Sequence, residues 1–180
     1  EPLTLRNENV TLRNRAIMGS MHTGLEEGDG ITHDLTKMAA FFRERARGGV
    51  GLCVTGGIAP NAHGRVAPDA ASMLSARDAR RHSVVTAAVH ETPGAKIAMQ
   101  ILHAGRYAYQ PSAVAPTAKK APIGWFTPRA LASRDVEATI DDFASAAALA
   151  REAGYDGVEI MGSDGYLSNP FLAARPNART

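Results

Sequence analysis

Four short groups of residues in this 180-residue chain combine polar side chains with glycine. They are Gly19-Ser20-Met21-His22-Thr23, Thr55-Gly56-Gly57, Gln100-Ile101-Leu102-His103-Ala104-Gly105-Arg106 and Met161-Gly162-Ser163-Asp164-Gly165-Tyr166. Between them they offer hydroxyls, one amide, His22, His103, Arg106, Tyr166 and a single carboxylate, Asp164. No nucleophile stands beside a general base in any group, so the set suits a flat, hydrogen-bonding heterocycle better than hydrolysis. Other chemistries are disfavoured by spacing. Gly49-Val50-Gly51 precedes an apolar run instead of following it, and the position of a third fingerprint glycine is Val54, so no dinucleotide turn is formed. There is no P-loop lysine, no Gly-x-Ser-x-Gly elbow and no His-Glu-x-x-His. The six histidines lack metal-ligand spacing; His82 and His90 share a helix but stand eight apart. Cys53 is the only cysteine, which excludes an internal disulfide and a Cys-rich zinc or iron–sulfur site within the chain.

The four groups are punctuated by a repeating pattern. Leu3-Thr4-Leu5 and Val10-Thr11-Leu12 alternate around Arg6-Asn7-Glu8-Asn9 and predict a short hairpin. Ala16-Ile17-Met18 is a first buried strand, followed by a Gly-rich loop over Gly24 to Gly30. Leu35, Met38, Ala39, Phe42 and Ala46 recur on one helical face, and Gly48-Gly49 stops that helix. Val50 to Thr55 is the next strand. Asp78 to Glu91 is a second helix with Val85, Ala88 and Val89 inward, and Lys96 to Leu102 is the third strand. Asp135 to Ala153 is a third helix, with Ser133 as N-cap and Val136, Ile140, Phe143 and Ala147 on its apolar face; Gly157 to Met161 is the fourth strand. Strands apolar nearly throughout, separated by amphipathic helices, imply a parallel sheet covered by helices, as in doubly wound sheets and (β/α)8 barrels. The polar groups then fall at the C-terminal strand ends, where such folds place their sites. The long Pro-containing segment from Tyr107 to Arg129 leaves the third strand at that same end.

Composition is that of a globular α/β domain: 44% apolar and 21% charged residues, with 20 Lys+Arg against 18 Asp+Glu. The net charge of +2 and the scattered arginines give no nucleic-acid footprint. No apolar run reaches the roughly 18–20 residues of a membrane span. Glu1-Pro2-Leu3-Thr4 carries no signal-peptide pattern, and the expected setting is the cytoplasm.

The groups also resemble known motifs. Asn14-Arg15 with Met18-Gly19-Ser20-Met21-His22-Thr23-Gly24-Leu25-Glu26-Glu27, then Thr55-Gly56-Gly57-Ile58-Ala59-Pro60, are similar to the first two strand motifs of the 2,4-dienoyl-CoA reductase branch of the old yellow enzyme (NADH:flavin oxidoreductase) family. Gln100 to Tyr107 with Tyr109-Gln110-Pro111, and Ala153 to Ile160 with Gly165-Tyr166-Leu167, resemble the third and fourth. The resemblance runs along essentially the whole chain. It implies an FMN-binding (β/α)8 barrel in which Ser20, Met21 and His22 line the flavin ring, Gly57 lets the ring approach the backbone and Gln100 hydrogen-bonds the pyrimidine edge. An amide offers a donor and an acceptor to that edge, and a residue without Cβ admits a planar ligand. The resemblance makes Tyr166 the proton donor to an unsaturated acyl-CoA or enone substrate, with electrons from NAD(P)H; a phenol of pKa near 10 is protonated at pH 7. Where many family members carry two His or His/Asn donors in the fourth strand motif, this chain has Met161 and Asp164. The dienoyl-CoA branch has an acidic residue there, so Asp164 enters as a second candidate catalytic residue.

A full barrel takes about 250 residues. The chain is therefore expected to supply the N-terminal half, residues 1–180, of an FMN barrel in a longer reductase. By resemblance, that reductase's remaining sequence carries the phosphate-binding loops, a 4Fe-4S cluster and FAD. Enone reduction, amine dehydrogenation and an inactive half-barrel are the alternatives.

Overall fold

The computed structural model describes residues 1–6, 10–28 and 32–179. The elements follow in the order β1 (Leu3–Thr4), β2 (Thr11–Leu12), β3 (Ile17–Met18), α1 (Thr36–Arg47), β4 (Leu52–Ile58), α2 (Ala76–His90), β5 (Lys96–Ile101), β6 (Val114–Ala115), β7 (Arg129–Ala130), α3 (Ser133–Glu152), β8 (Gly157–Ile160) and α4 (Ser168–Leu172). β1 and β2 pair antiparallel, Leu3 opposite Leu12, as the alternation predicts; the Asn-rich turn lies outside the described residues.

The four-stranded sheet has the order β3-β4-β5-β8. β3 and β4 run parallel, Ile17 beside Leu52. Bonds flanking the other ladders keep that direction: Lys96 N donates to Gly51 O and Leu102 N to Ile58 O, while Asp156 N donates to Ile97 O and Met161 N to Ile101 O. Sequential parallel strands joined by helices form the (β/α)8 pattern, of which this chain carries four strands. No helix among the described residues is long and apolar enough to cross a membrane.

The chain divides into two compact units. One comprises Glu1–Gly57, Ser75–Gln100 and Ala147–Glu159; the other comprises Ile58–Leu74, Ile101–Ala146 and Ile160–Thr180. In the first unit, Met38 and Phe42 of α1 and Val85 and Val89 of α2 are fully buried, with Cys53 of β4 and Ile97 and Met99 of β5. The predicted faces of α1 and α2 are the buried ones, because a 3.6-residue period lays them along one stripe. α2 begins two residues before the predicted start, since the Ser75 hydroxyl accepts from Asp78 N and donates to the Asp78 carboxylate. Burial pushes the Cys53 thiol up to about 11, which makes it an inert apolar filler.

The turn before β8 is anchored in the first unit by Asp156. Its carboxylate accepts from His90 Nε2 and Lys96 Nζ, each at 2.8 Å, and from Ile97 N at 2.9 Å. Burial works to raise this carboxyl, but the Lys96 and His90 bonds outweigh it and hold the group below the usual carboxylate range. Beside it, Tyr155 and His82 are buried and share a 2.8 Å hydrogen bond.

Three expectations fail, two in α3 and one in β3. Ser133 is the first helical residue and not the cap; the Asp135 carboxylate instead accepts from Ala132 N and Arg129. Ile140, assigned to the inner face, is 57% exposed. β3, expected to be buried, is instead an edge strand with Ile17 57% exposed, and β8, the other edge of the sheet, is exposed along its length. The segment from Tyr107 to Arg129, read as a loop, contributes β6, and Val114 there pairs with Arg129 of β7 in a short parallel ladder.

Candidate active site

In the first unit, Ser20, Met21 and His22 follow β3, Gly57 lies near the end of β4, and Gln100 lies near the end of β5. These strands are neighbours and parallel, so all five residues stand at the C-terminal end of the sheet. Ser20 and Gly57 are half-buried, while Met21 and His22 are exposed. Gln100 is buried; its side-chain Nε2 donates to Glu159 Oε1 at 2.6 Å, and its backbone N donates to Thr55 Oγ1 at 3.1 Å. Glu159 is the neighbour that orients the amide.

The loop carrying His22 is built on Glu26, whose carboxylate is fully buried. It accepts from Thr23 N at 3.0 Å, Thr23 Oγ1 at 2.7 Å and Leu25 N at 3.1 Å, so the chain folds around it. The same carboxylate lies against Gly56: a Cβ there would stand 2.5 Å from Glu26 Oε1 and 3.0 Å from Met21 O. Gly56 is thus required for the β3 loop to reach β4. His22 lies 3.6 Å from Glu26 and 3.5 Å from Glu27. The ligand atoms of these three residues lie within 4.8 Å of one another, close enough for a cation, but the Glu26 oxygens are already engaged by their own loop.

Tyr166 and Asp164 belong to the second unit, in the turn after β8. Asp164 (φ 59°) and Gly165 (φ 81°) are both left-handed, which turns the chain sharply ahead of Tyr166. A Cβ on Gly165 would meet the Tyr107 ring at 2.4 Å. The Tyr107 and Tyr166 rings pack edge to face, 6.0 Å apart. Leu167 N donates to His103 O at 3.0 Å, which pins the turn to the end of β5. Burial raises the Tyr166 phenol above its ordinary value, and the Asp164 carboxylate adds to the effect. The hydroxyl is therefore protonated at neutral pH and available as a donor, whereas Asp164 is exposed and acts on it as a charge.

His103 is buried and neutral, its pKa lowered to about 4 by burial. Gly105 N donates to its Nδ1 at 3.1 Å, so the ring proton sits on Nε2. The ring stacks on Phe143 at 6.5 Å.

Sequence reasoning passed over Glu26 and Glu159 as site-shaping residues. The available signals were an acidic residue in a Gly-Thr loop and one in an otherwise apolar strand.

The residues of the first unit fit a flat heterocycle: an oriented amide, a strand end at Gly57 without Cβ, and an exposed segment from Ser20 to His22. Comparison with known proteins points to the same chemistry. The chain is 38% identical to a metal reductase of Desulforamulus reducens over 95% of its length, covering 25% of that protein. It is 35% identical to an NADPH dehydrogenase of Bacillus subtilis over 99% of its length, covering 52% of that protein. Among solved structures, it matches morphinone reductase in complex with tetrahydroNAD (TM-score 0.87, 28% identity), covering all of this chain and 53% of the other. It matches the old yellow enzyme homologue of Zymomonas mobilis (TM-score 0.86, 27% identity), with 99% of this chain and 52% of that one covered. The chain thus spans about half or less of the relatives it matches. These relatives support the flavin oxidoreductase family without singling out its dienoyl-CoA branch. The family model described as NADH:flavin oxidoreductase / NADH oxidase matches residues 1–180, and the chain belongs to that family.

Proposed function

We propose that the chain is the N-terminal half of an FMN-binding barrel in an NAD(P)H-dependent reductase that saturates a C=C bond conjugated to a carbonyl. The observation that carries this reading is Tyr166: a half-buried phenol, held protonated by burial and by Asp164, on a turn fixed by Gly165 and Tyr107. FMN, when bound, supplies the hydride. Ser20, Met21 and His22 would line its ring, Gly57 would admit it and Gln100 would bond its polar edge. Tyr166 supplies the proton: its O–H bond breaks as a C–H bond forms at the substrate carbon that becomes electron-rich, and solvent reprotonates the phenolate.

For the substrate we favour an unsaturated acyl-CoA, with Asp164 as support. An ionised carboxylate cannot donate to an enone oxygen, so the two-donor arrangement of enone reductases is not available at Met161 and Asp164. The reading includes a 4Fe-4S cluster and FAD in sequence outside residues 1–180. Its support is that the chain spans 25% of the metal reductase and 27% of a Thermoanaerobacter brockii NADH oxidase, which leaves ample length for further modules. In the second unit, an apolar groove of about 440 Å³ lined by Val136, Ile140, Phe143, Ile160, Leu167 and Phe171 offers a face that a following βα unit would cover. A cytoplasmic setting accords with the free, buried thiol of Cys53.

The test is stopped-flow kinetics of Tyr166→Phe in the full-length reductase. Flavin reduction by NAD(P)H should be unchanged, and reoxidation by a 2,4-dienoyl-CoA should slow by about 10²–10⁴-fold, the usual contribution of a general acid. Equal reoxidation rates would remove Tyr166 from the reaction. Faster turnover of a simple cyclic enone than of the dienoyl-CoA would move the substrate to the enone class.

A further inference from the structure

The second unit contains a cleft of about 270 Å³ lined by Arg106, Lys119, Lys120 and Arg175 between Pro122 and Pro176. Four cations thus share one small space, although the whole chain has a net charge of only +2. Among the described residues, no carboxylate lies within ion-pair distance of any of the four, while Arg129 in the same unit is paired with Asp135 at 2.7 Å. Like charges held together repel, and a bound anion relieves that cost.

The cleft is also built. Lys119 Nζ donates to the backbone oxygen of Arg175 at 3.1 Å, which ties its two walls together. The Arg106 guanidinium lies over the Tyr107 ring, 5.4 Å from its centre, and its buried Nε–H has no acceptor among the described residues. Lys120 and Arg175 are exposed, so their heads remain hydrated and reachable. Guanidinium and ammonium donors around an open cleft are the usual receptor for phosphate oxygens.

Two neighbouring features indicate more than free phosphate. Trp125, 73% exposed, stands five positions after Lys120 with its ring edge-on to Tyr109 at 5.4 Å, and Ile123 beside it is 65% exposed. Exposed aromatic and aliphatic surface next to clustered cations suits a ligand with both a flat base and several phosphates. The cleft also adjoins Tyr166 through one residue, since Arg106 precedes the Tyr107 that packs on Tyr166.

We propose that Arg106, Lys119, Lys120 and Arg175 form a binding site for the phosphorylated adenosine end of a long ligand whose other end reaches Tyr166. Two ligands carry this chemistry: coenzyme A thioesters, with a 3′-phosphate, and NADPH, with a 2′-phosphate. Preference for the first rests on the acyl-CoA reading above; the existence of the site does not.

Calorimetric titration of the protein with 3′,5′-ADP, 2′,5′-ADP, adenosine and inorganic phosphate tests it, with fluorescence of Trp125, the chain's one tryptophan, as a second readout. The bisphosphates should bind more tightly than inorganic phosphate or adenosine and should weaken as salt is raised. Lys120→Ala and Arg175→Ala should each weaken bisphosphate binding by about tenfold or more, the effect of losing one charge-assisted contact. Lys37→Ala, which removes the same charge from the exposed side of α1, should leave it unchanged. Tighter binding of 3′,5′-ADP supports the site and assigns it to coenzyme A; tighter binding of 2′,5′-ADP supports the site and assigns it to NADPH. Equal binding of adenosine and the bisphosphates, or indifference to both substitutions, overturns the proposal. If the bisphosphates bind but dienoyl-CoA is not reduced, the substrate reading fails while the cleft stands.

Discussion

Stability should depend on two buried histidines, one in each unit. His82 and His103 are 4% and 2% exposed, and burial lowers each to about 4 from the ordinary 6.5. The unfolded chain therefore binds a proton at each position below pH 6.5 that the folded chain accepts only near pH 4. With more protons bound in the unfolded state, stability rises with pH through this window and is lost as the pH falls from 6.5 towards 4. For each histidine, these values make the loss between pH 7.5 and pH 5.0 about 2 kcal/mol, or about 4 kcal/mol for the pair if both units unfold together. That is a large share of the roughly 5–15 kcal/mol that holds a typical domain. The assay is urea unfolding at the two pH values, followed by far-ultraviolet circular dichroism, for the wild type, His82→Gln and His103→Gln. Each substitution destabilises at pH 7.5, since His82 loses its bond to Tyr155 and His103 its stack on Phe143. The diagnostic is the difference between pH values, which should fall by about half in each variant. A wild type equally stable at pH 7.5 and 5.0, or variants with the full pH dependence, would refute the argument that burial keeps these rings neutral.

Asp156→Ala removes the acceptor shared by His90, Lys96 and Ile97 N, and should cost about 2–4 kcal/mol by leaving the Ile97 amide, the Lys96 ammonium and the His90 ring without this partner; chemical denaturation at pH 7 measures it, and a change below about 0.5 kcal/mol would show the clamp to be unimportant. Because that carboxyl is held below its ordinary value, its contribution is present above about pH 4 and disappears as the pH falls through the folded value. Gln100→Leu in the full-length protein should weaken FMN binding by about 1–3 kcal/mol, since a similar volume is kept while a polar partner is lost; flavin retained after dialysis is the measure, and full occupancy at low micromolar protein would reduce Gln100 to a packing residue.

Much of the architecture was legible in the residues because it is written in local periods. Met38, Phe42, Val85 and Val89 recur at helical spacing, and those positions are the buried ones. The apolar runs at Cys53 and Ile97 are strands, and Gly48-Gly49 ends the helix it was expected to end. The polar groups at the strand ends could be found because parallel strands carry their ends to one side of the sheet. Periodicity does not report which neighbour an element meets. Ile140 has the right spacing for a buried face and remains exposed, and the apolar run at Ile17 reads as a buried strand although β3 lies at the edge of the sheet.

What only the tertiary structure decided are the contacts between residues distant in sequence. Glu26 stands against Gly56, thirty positions later; Gln100 meets Glu159; the rings of Tyr107 and Tyr166 share an edge. Each sets a property that a residue type alone leaves open, because the orientation of an amide and the proton affinity of a phenol or imidazole depend on what has replaced water around them. The same holds for the cationic cleft, whose members come from positions 106, 119, 120 and 175 and look like scattered charges along the chain. The sequence by itself determined the alternation of strands and helices, most of the apolar helix faces and which side chains wait at the strand ends, since these follow from backbone geometry over a few residues. Burial, ionisation and the grouping of charges were decided by the fold, since they arise only when segments far apart in the chain exclude solvent from one another.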